Sequence, residues 1–151
     1  MPKASVRRLI ECNKNQLIEL VLDIEKYPDF VPFCLDAHVY ERKNEGDLIL
    51  IIADLTIGKG PFKDTYKSDV KFSKKDNTIK VTNIGGPLNH LENIWYFKEQ
   101  EKGTEISFDI DFEIENKFLN IVMTKSFQFG LDKIADAFQK RAEELFSNSK
   151  N

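Results

Sequence analysis

Apolar and polar side chains alternate with a period of two from Leu35 to Glu115, the spacing of a chain whose successive residues face opposite sides of a sheet. The clearest run sets Ile106, Phe108, Ile110, Phe112 and Ile114 against Ser107, Asp109, Asp111, Glu113 and Glu115, which predicts a half-buried strand with an acidic outer face. Ile49, Ile51, Ala53, Leu55 and Ile57 share one parity in an earlier run, and Phe62, Tyr66, Val70 and Phe72 share one in the next. Trp95 and Phe97 do the same on a later strand. Polar turns at Lys43 to Gly46, Lys74 to Asn77, Gly85 to Pro87 and Glu99 to Gly103 separate these runs. Connections this short predict an antiparallel meander of about six strands.

Outside that stretch other elements are expected. Ala4 to Ile10 reads as a further strand, and Asn13 followed three residues later by Gln16 reads as a helix N-cap with its capping-box partner. Leu17, Leu20, Val21 and Ile24 then recur at helical spacing until Pro28, which disfavours helical backbone at Tyr27 and has no amide hydrogen to donate. After Asn116 the helical period returns. Phe127, Leu131, Ile134, Ala135, Phe138, Ala142 and Leu145 fall on one face, with Asp132, Lys133, Asp136, Lys140, Arg141 and Glu143 largely off it. A helix over 118–146 would be ~43 Å long at 1.5 Å per residue, with a kink expected near Gly130. The order strand, helix, short helical turn, strands, long helix is α+β, and the apolar faces of sheet and final helix must meet. No repeat or linker divides the chain, so residues 1–146 are expected to form one domain and 147–151 a frayed polar tail.

Composition narrows the function classes. Twelve Phe spread from Phe30 to Phe146 predict an aromatic-rich core. A net charge of −3 with both signs interspersed argues against bare nucleic acid, DNA in particular, as the main partner, although a local basic face remains compatible with it. The longest apolar stretches, such as Leu48 to Ala53, are far below the ~20 residues that span a bilayer, and no signal-peptide run follows Met1-Pro2-Lys3. A cytoplasmic location is expected. Cys12 and Cys34 have neither CxxC spacing nor a histidine pair, so they read as reduced, partly buried thiols, with no metal site and no cofactor implied.

Three segments taken together resemble a known family. They are Asp23-Ile24-Glu25-Lys26-Tyr27-Pro28-Asp29-Phe30-Val31-Pro32-Phe33-Cys34, then Gly86-Pro87-Leu88 leading through Leu91 and Glu92 to Trp95 and Phe97, and Ala137-Phe138 with Arg141-Ala142 in the final helix. On these residues the chain resembles the coenzyme Q-binding and ribosome-association-toxin branch of the START-like, polyketide-cyclase superfamily. It departs from that pattern at Leu88, where a bulky Phe is expected, and at Lys59-Gly60-Pro61-Phe62. The resemblance implies a helix-grip fold, a curved antiparallel sheet wrapped around the long C-terminal helix with a hydrophobic cavity between them. It also implies a bacterial carrier or chaperone of coenzyme Q (ubiquinone) or another lipid that supports respiratory electron transport, peripheral at the inner membrane. The alternative it implies is a toxin–antitoxin protein that binds ribosomal subunits and blocks their joining.

Side-chain chemistry favours binding over catalysis. His38 and His90 form no nucleophile–base–orienter set, and His90 reads as a loop histidine or a donor to a ligand carbonyl. Asp109, Asp111 and Glu113 point outward, where solvation keeps carboxylates ionised and idle. A polyketide-cyclase-like enzyme therefore ranks last. The candidate ligand-binding set is Phe30, Phe33, Leu55, Ile57, Phe62, Tyr66, Val70, Trp95, Phe97, Phe108, Ile110, Phe112, Phe127, Leu131 and Phe138. Tyr66, Ser68 and Trp95 would orient a quinone head by hydrogen bonds. Phe30, Val31 and Phe33, beside two prolines, read as a core plug or as a lid. Lys63, Lys67 and Lys71 share outward parity and make a candidate partner surface for anionic lipid or ribosomal RNA phosphate.

Overall fold

The computed structural model describes residues 3–59, 62–85, 88–114 and 117–146. Its elements run β1 (Lys3–Ile10), α1 (Lys14–Leu22), a 3-10 helix (Ile24–Asp29), β2 (Cys34–Glu45), β3 (Leu48–Lys59), β4 (Phe62–Ser73), β5 (Thr78–Gly85), β6 (Leu88–Gln100), β7 (Gly103–Ile114) and α2 (Lys117–Phe146). The strands form one seven-stranded antiparallel sheet in the order β1-β7-β6-β5-β4-β3-β2, so the expected meander from β2 to β7 is joined at its far edge by β1. The polar tail 147–151 lies outside the described residues.

Register converts the alternation into a core. Ile49, Phe72, Ile79, Trp95, Phe108 and Val6 are successive partners across six strands and form one apolar row on the inner face. The neighbouring row runs Ile51, Val70, Val81, Asn93, Ile110 and Ala4. Onto these rows α2 lays Leu131, Phe138 and Ala142, all buried, while α1 contributes Leu17, Ile18, Leu20 and Val21. The salt bridge from Arg8 to Asp136 (3.1 Å) and the hydrogen bond from the Gln128 amide to the Ser5 carbonyl (3.1 Å) pin α2 along β1. The helix runs unbroken through Gly130.

The capping box at Asn13 forms as expected: its side chain accepts from the Asn15 amide (2.7 Å), and its own amide donates to Gln16 Oε1 (3.2 Å). The other end of α1 differs from expectation. The helix stops at Leu22, well before Pro28, because Asp23 (φ −83°, ψ 65°) leaves helical backbone while its amide still caps the Glu19 carbonyl at 3.0 Å. Pro28 sits inside the following 3-10 helix.

Two glycines test this architecture from opposite directions. Gly103 (φ +150°) closes the β6–β7 turn, and a Cβ there would lie 2.2 Å from the Ile10 carbonyl oxygen. Gly103→Ala is expected to cost at least about 2 kcal/mol in urea denaturation, since both the backbone angle and the neighbouring strand oppose it. A methyl group on Gly130 would meet nothing within 4 Å, so Gly130→Ala is expected to stabilise by roughly 0.5–1 kcal/mol in the same assay.

Candidate functional site

Trp95 stands at the centre of the inner face. Its indole meets Phe108 edge-on (ring centroids 4.5 Å apart), Phe138 of α2 (5.2 Å) and, stacked, Phe97 (6.4 Å). Phe138 also meets Tyr27 (5.4 Å) and Phe30 (5.1 Å), and these two meet each other at 6.1 Å, all three edge to face. The Arg141 guanidinium, one turn further along α2, lies 5.3 Å from the Phe30 ring centroid. The 3-10 helix thus lids this end of the interior with aromatic rings. Its anchor is the Tyr27 hydroxyl, which donates to the Val21 carbonyl of α1, and burial pushes the phenol pKa above its ordinary value.

Between the sheet and α2, Val6, Ile10, Trp95, Phe108, Leu131 and Phe138 line a cavity of ≈ 20 Å³. That volume holds about one water, and its walls are almost wholly apolar, so a larger guest must displace part of the sheet or α2 lining. Apart from Thr104, whose hydroxyl donates to the Cys12 carbonyl at 2.9 Å, the buried polar groups lie towards β4 to β6. Ser68 and Asn83 are register partners on β4 and β5, and Asn93 follows on β6. The Asn83 side-chain oxygen accepts from the Leu91 amide (2.9 Å), and the Asn93 amide donates to the Asp109 carbonyl (3.1 Å). Asn93 Oδ1 accepts the Trp95 indole N–H at 3.1 Å. The indole donor expected to orient a ligand is therefore already engaged.

Of the expected binding residues, Val70, Trp95, Phe97, Phe108, Leu131 and Phe138 are brought together as buried walls. Phe30, Leu55 and Ile110 pack partly buried against them, Tyr66 is half-buried beside Leu55 on β4, and Ile57 is partly exposed near the end of β3. Phe33 does not plug the core. It is 37 % exposed and held at φ +69°, with its carbonyl accepting from the Gly58 amide, so its ring lies at the rim. The side chains of Phe62, Phe112 and Phe127, and the Gly86-Pro87 pair, lie outside the described residues. Asn83 and Asn93 are inward positions that a pattern of apolar residues does not flag; the signal for them is the parity they share with Val81 and Trp95.

The outer face brings further corrections. His90 is on β6, not in a loop, and faces outward to Asp111 with Nε2 and Oδ2 3.7 Å apart. Asp111 is not fully solvated, since its Oδ1 is buried without a hydrogen-bond partner among the described residues. His38 is exposed and packs edge-on against Tyr40. Lys63, Lys67 and Lys71 point outward as expected, and Lys67 Nζ lies 4.8 Å above the Tyr40 ring. Both cysteines are free and buried. Among the described residues no group of three or more His, Cys, Asp or Glu is placed to hold a metal, and no helix is long and apolar enough to cross a membrane.

A curved antiparallel sheet closed on a long C-terminal helix, with a lidded apolar interior, defines the START-like helix-grip class. Within it the chain belongs to the polyketide cyclase / dehydrase and lipid transport family, whose model matches residues 13–139. It is 30 % identical over 141 residues to the ribosome association toxin RatA of Rickettsia prowazekii, covering 91 % of this chain and 94 % of the toxin. It is 33 % identical over 138 residues to the mitochondrial coenzyme Q-binding protein of Dictyostelium discoideum, covering 89 % of this chain and 66 % of that one. Among solved structures, an 18 kDa protein of Caulobacter crescentus superposes with a TM-score of 0.81 at 24 % identity over 97 % of this chain and 99 % of its own. A START superfamily protein of Mycobacterium smegmatis superposes at 0.80 with 18 % identity, over 96 % and 99 %.

Two buried acids, Tyr27 in the 3-10 helix and Cys34 at the start of β2, predict a pH dependence. Burial pushes the Cys34 thiol up from 9.0 to about 11, and raises Tyr27 from 10.0 for the same reason. Each group is held protonated in the fold, so its contribution is complete below the unfolded pKa and is lost as pH rises towards the folded one. Unfolding midpoints in urea are expected to stay level up to about pH 9 and to fall above it, and Cys34→Ala is expected to flatten the first part of that fall.

Proposed function

We propose that the chain binds a hydrophobic small molecule, coenzyme Q or a related lipid, between the inner sheet face and α2, and carries it in support of respiratory electron transport without transforming it. The observation that supports this best is the lid. Tyr27 and Phe30 rest edge-on against Phe138, which in turn meets Trp95, and such ring contacts are worth only about 0.5–1.5 kcal/mol each beyond their buried area. A ligand with an apolar tail would replace them with equivalent contacts as the lid swings out. The polar strip of Ser68, Asn83 and Asn93, with Tyr66 beside it, would meet the oxygens of a quinone head. Similarity to a protein named for coenzyme Q binding points the same way.

A second reading, association with a ribosomal subunit, is favoured by the alignment to the Rickettsia toxin, which spans 94 % of that protein. Its partner surface would be the outer sheet face that carries Lys63, Lys67 and Lys71.

Trp95 is the chain's one tryptophan, which makes the first reading testable by fluorescence. Titration with a short-chain quinone analogue is expected to quench Trp95 saturably. Phe138→Arg is expected to weaken that binding at least about tenfold, because a charge in the apolar interior must stay solvated. Circular dichroism checks that the variant is folded. Normal binding by a folded Phe138→Arg protein would place the ligand elsewhere.

A further inference from the structure

Lys71 of β4 and Lys80 of β5 are direct cross-strand partners on the outer face, and both are exposed. Like charges in this position repel. Among the described residues neither lysine has an ion pair, whereas Lys43 is held by Glu41 (3.0 Å) and Lys67 lies over Tyr40. Asp69, two positions from Lys71 on the same face, is the only carboxylate among the described residues of β4 and β5 with outward parity. Lys63, Lys67, Lys71 and Lys80, with the hydroxyls of Thr65 and Thr82 between them, therefore make a basic strip two strands wide, roughly 10 Å across.

Acid borders the strip on both sides. Glu92, Asp109 and Asp111 occupy the outer face of β6 and β7, and Glu41 and Asp54 that of β2 and β3. An anionic bilayer is an extended plane and would meet these carboxylates along with the lysines. A single polyanionic strand fits the strip and meets fewer of them, Asp54 opposite Lys67 at the β3 edge and Asp69 within the strip. Tyr96, 42 % exposed and opposite Thr78, stands one row from Lys80 and offers a ring on which a base can stack. We infer that the outer face of β4 and β5 is a docking strip for single-stranded RNA, with the Lys71–Lys80 pair as its central phosphate contact. The inference rests on the ribosomal reading, narrows it to one face and one chemistry, and is independent of what the interior holds.

The test uses the full chain and a fluorescent single-stranded oligouridylate of about twelve nucleotides, followed by anisotropy. Binding is expected, with affinity falling steeply as salt rises. Lys80→Glu replaces repulsion with attraction across the strands, so it is expected to raise the melting temperature while weakening RNA binding about tenfold or more. Lys133→Glu, on α2, makes the same change in net charge and is expected to leave binding within about twofold of the parent. No binding to the oligonucleotide, equal losses in the two variants, or capture by anionic vesicles in place of RNA would each overturn the inference. Ribosomal subunits that bind the parent and Lys80→Glu proteins equally would sink the strip and leave the ribosomal reading standing. Oligonucleotide binding that Lys80→Glu weakens, without subunit binding, would do the reverse.

Discussion

Phe138 is where three separately encoded parts of the chain meet. Its ring touches Trp95 from β6, Tyr27 from the 3-10 helix and Phe30 just after it, so the sheet, the lid and the closing helix share one aromatic junction. The sheet alone would leave its inner rows in water, and α2 alone would be an amphipathic helix with an unmatched stripe. Joining them removes both exposures at once. Burying a Phe side chain contributes on the order of 2–3 kcal/mol, and the edge-to-face geometry adds about 1 kcal/mol per pair. Tyr27 and Phe30 bring the segment after α1 into the same junction, packed partly buried against the core.

The interior combines a dry side and a wet side. Around Trp95, Phe108 and Leu131 the walls leave room for about one water, which holds the helix and sheet in close register. Towards β4 and β5 the same face carries Ser68, Asn83 and Asn93, and the hydrogen bonds of the two asparagines go to backbone and to the indole. Buried amides of this kind are costly unless paired, and here each has a partner that a ligand oxygen would have to match. That requirement would select a guest with an apolar body and a few fixed acceptors or donors.

The outer face sorts charge by strand. Lysines collect on β4 and β5 and carboxylates on β6 and β7, a separation invisible in a net charge of −3. The local field of a surface, and not the chain's total, decides what it attracts within a Debye length of about 8 Å at physiological salt. Inner and outer faces of the same strands therefore present different side-chain chemistry, as the period of two permits.

Much of this was legible residue by residue. Ile106 to Ile114 alternate strictly, and a half-buried antiparallel strand is the arrangement that satisfies them; Asn13 with Gln16 set the start of α1; the stripe from Leu131 to Ala142 required a long helix against a sheet. These are local matters, decided by parity, caps and turn residues within a few positions. Which residues share a row is not local: that Trp95 faces Phe138, that its N–H is taken by Asn93, and that Lys71 lies opposite Lys80 depend on register between segments far apart in the chain. The backbone angle that turns Phe33 outward is likewise set by its neighbours in space, through the Gly58 amide on β3. Sequence by itself determined which faces are apolar and where most elements begin and end, because those follow from short-range sterics and spacing. Only the tertiary structure decided which polar groups are already satisfied and which charges stand unopposed, because partners are chosen by strand pairing and helix docking across long separations.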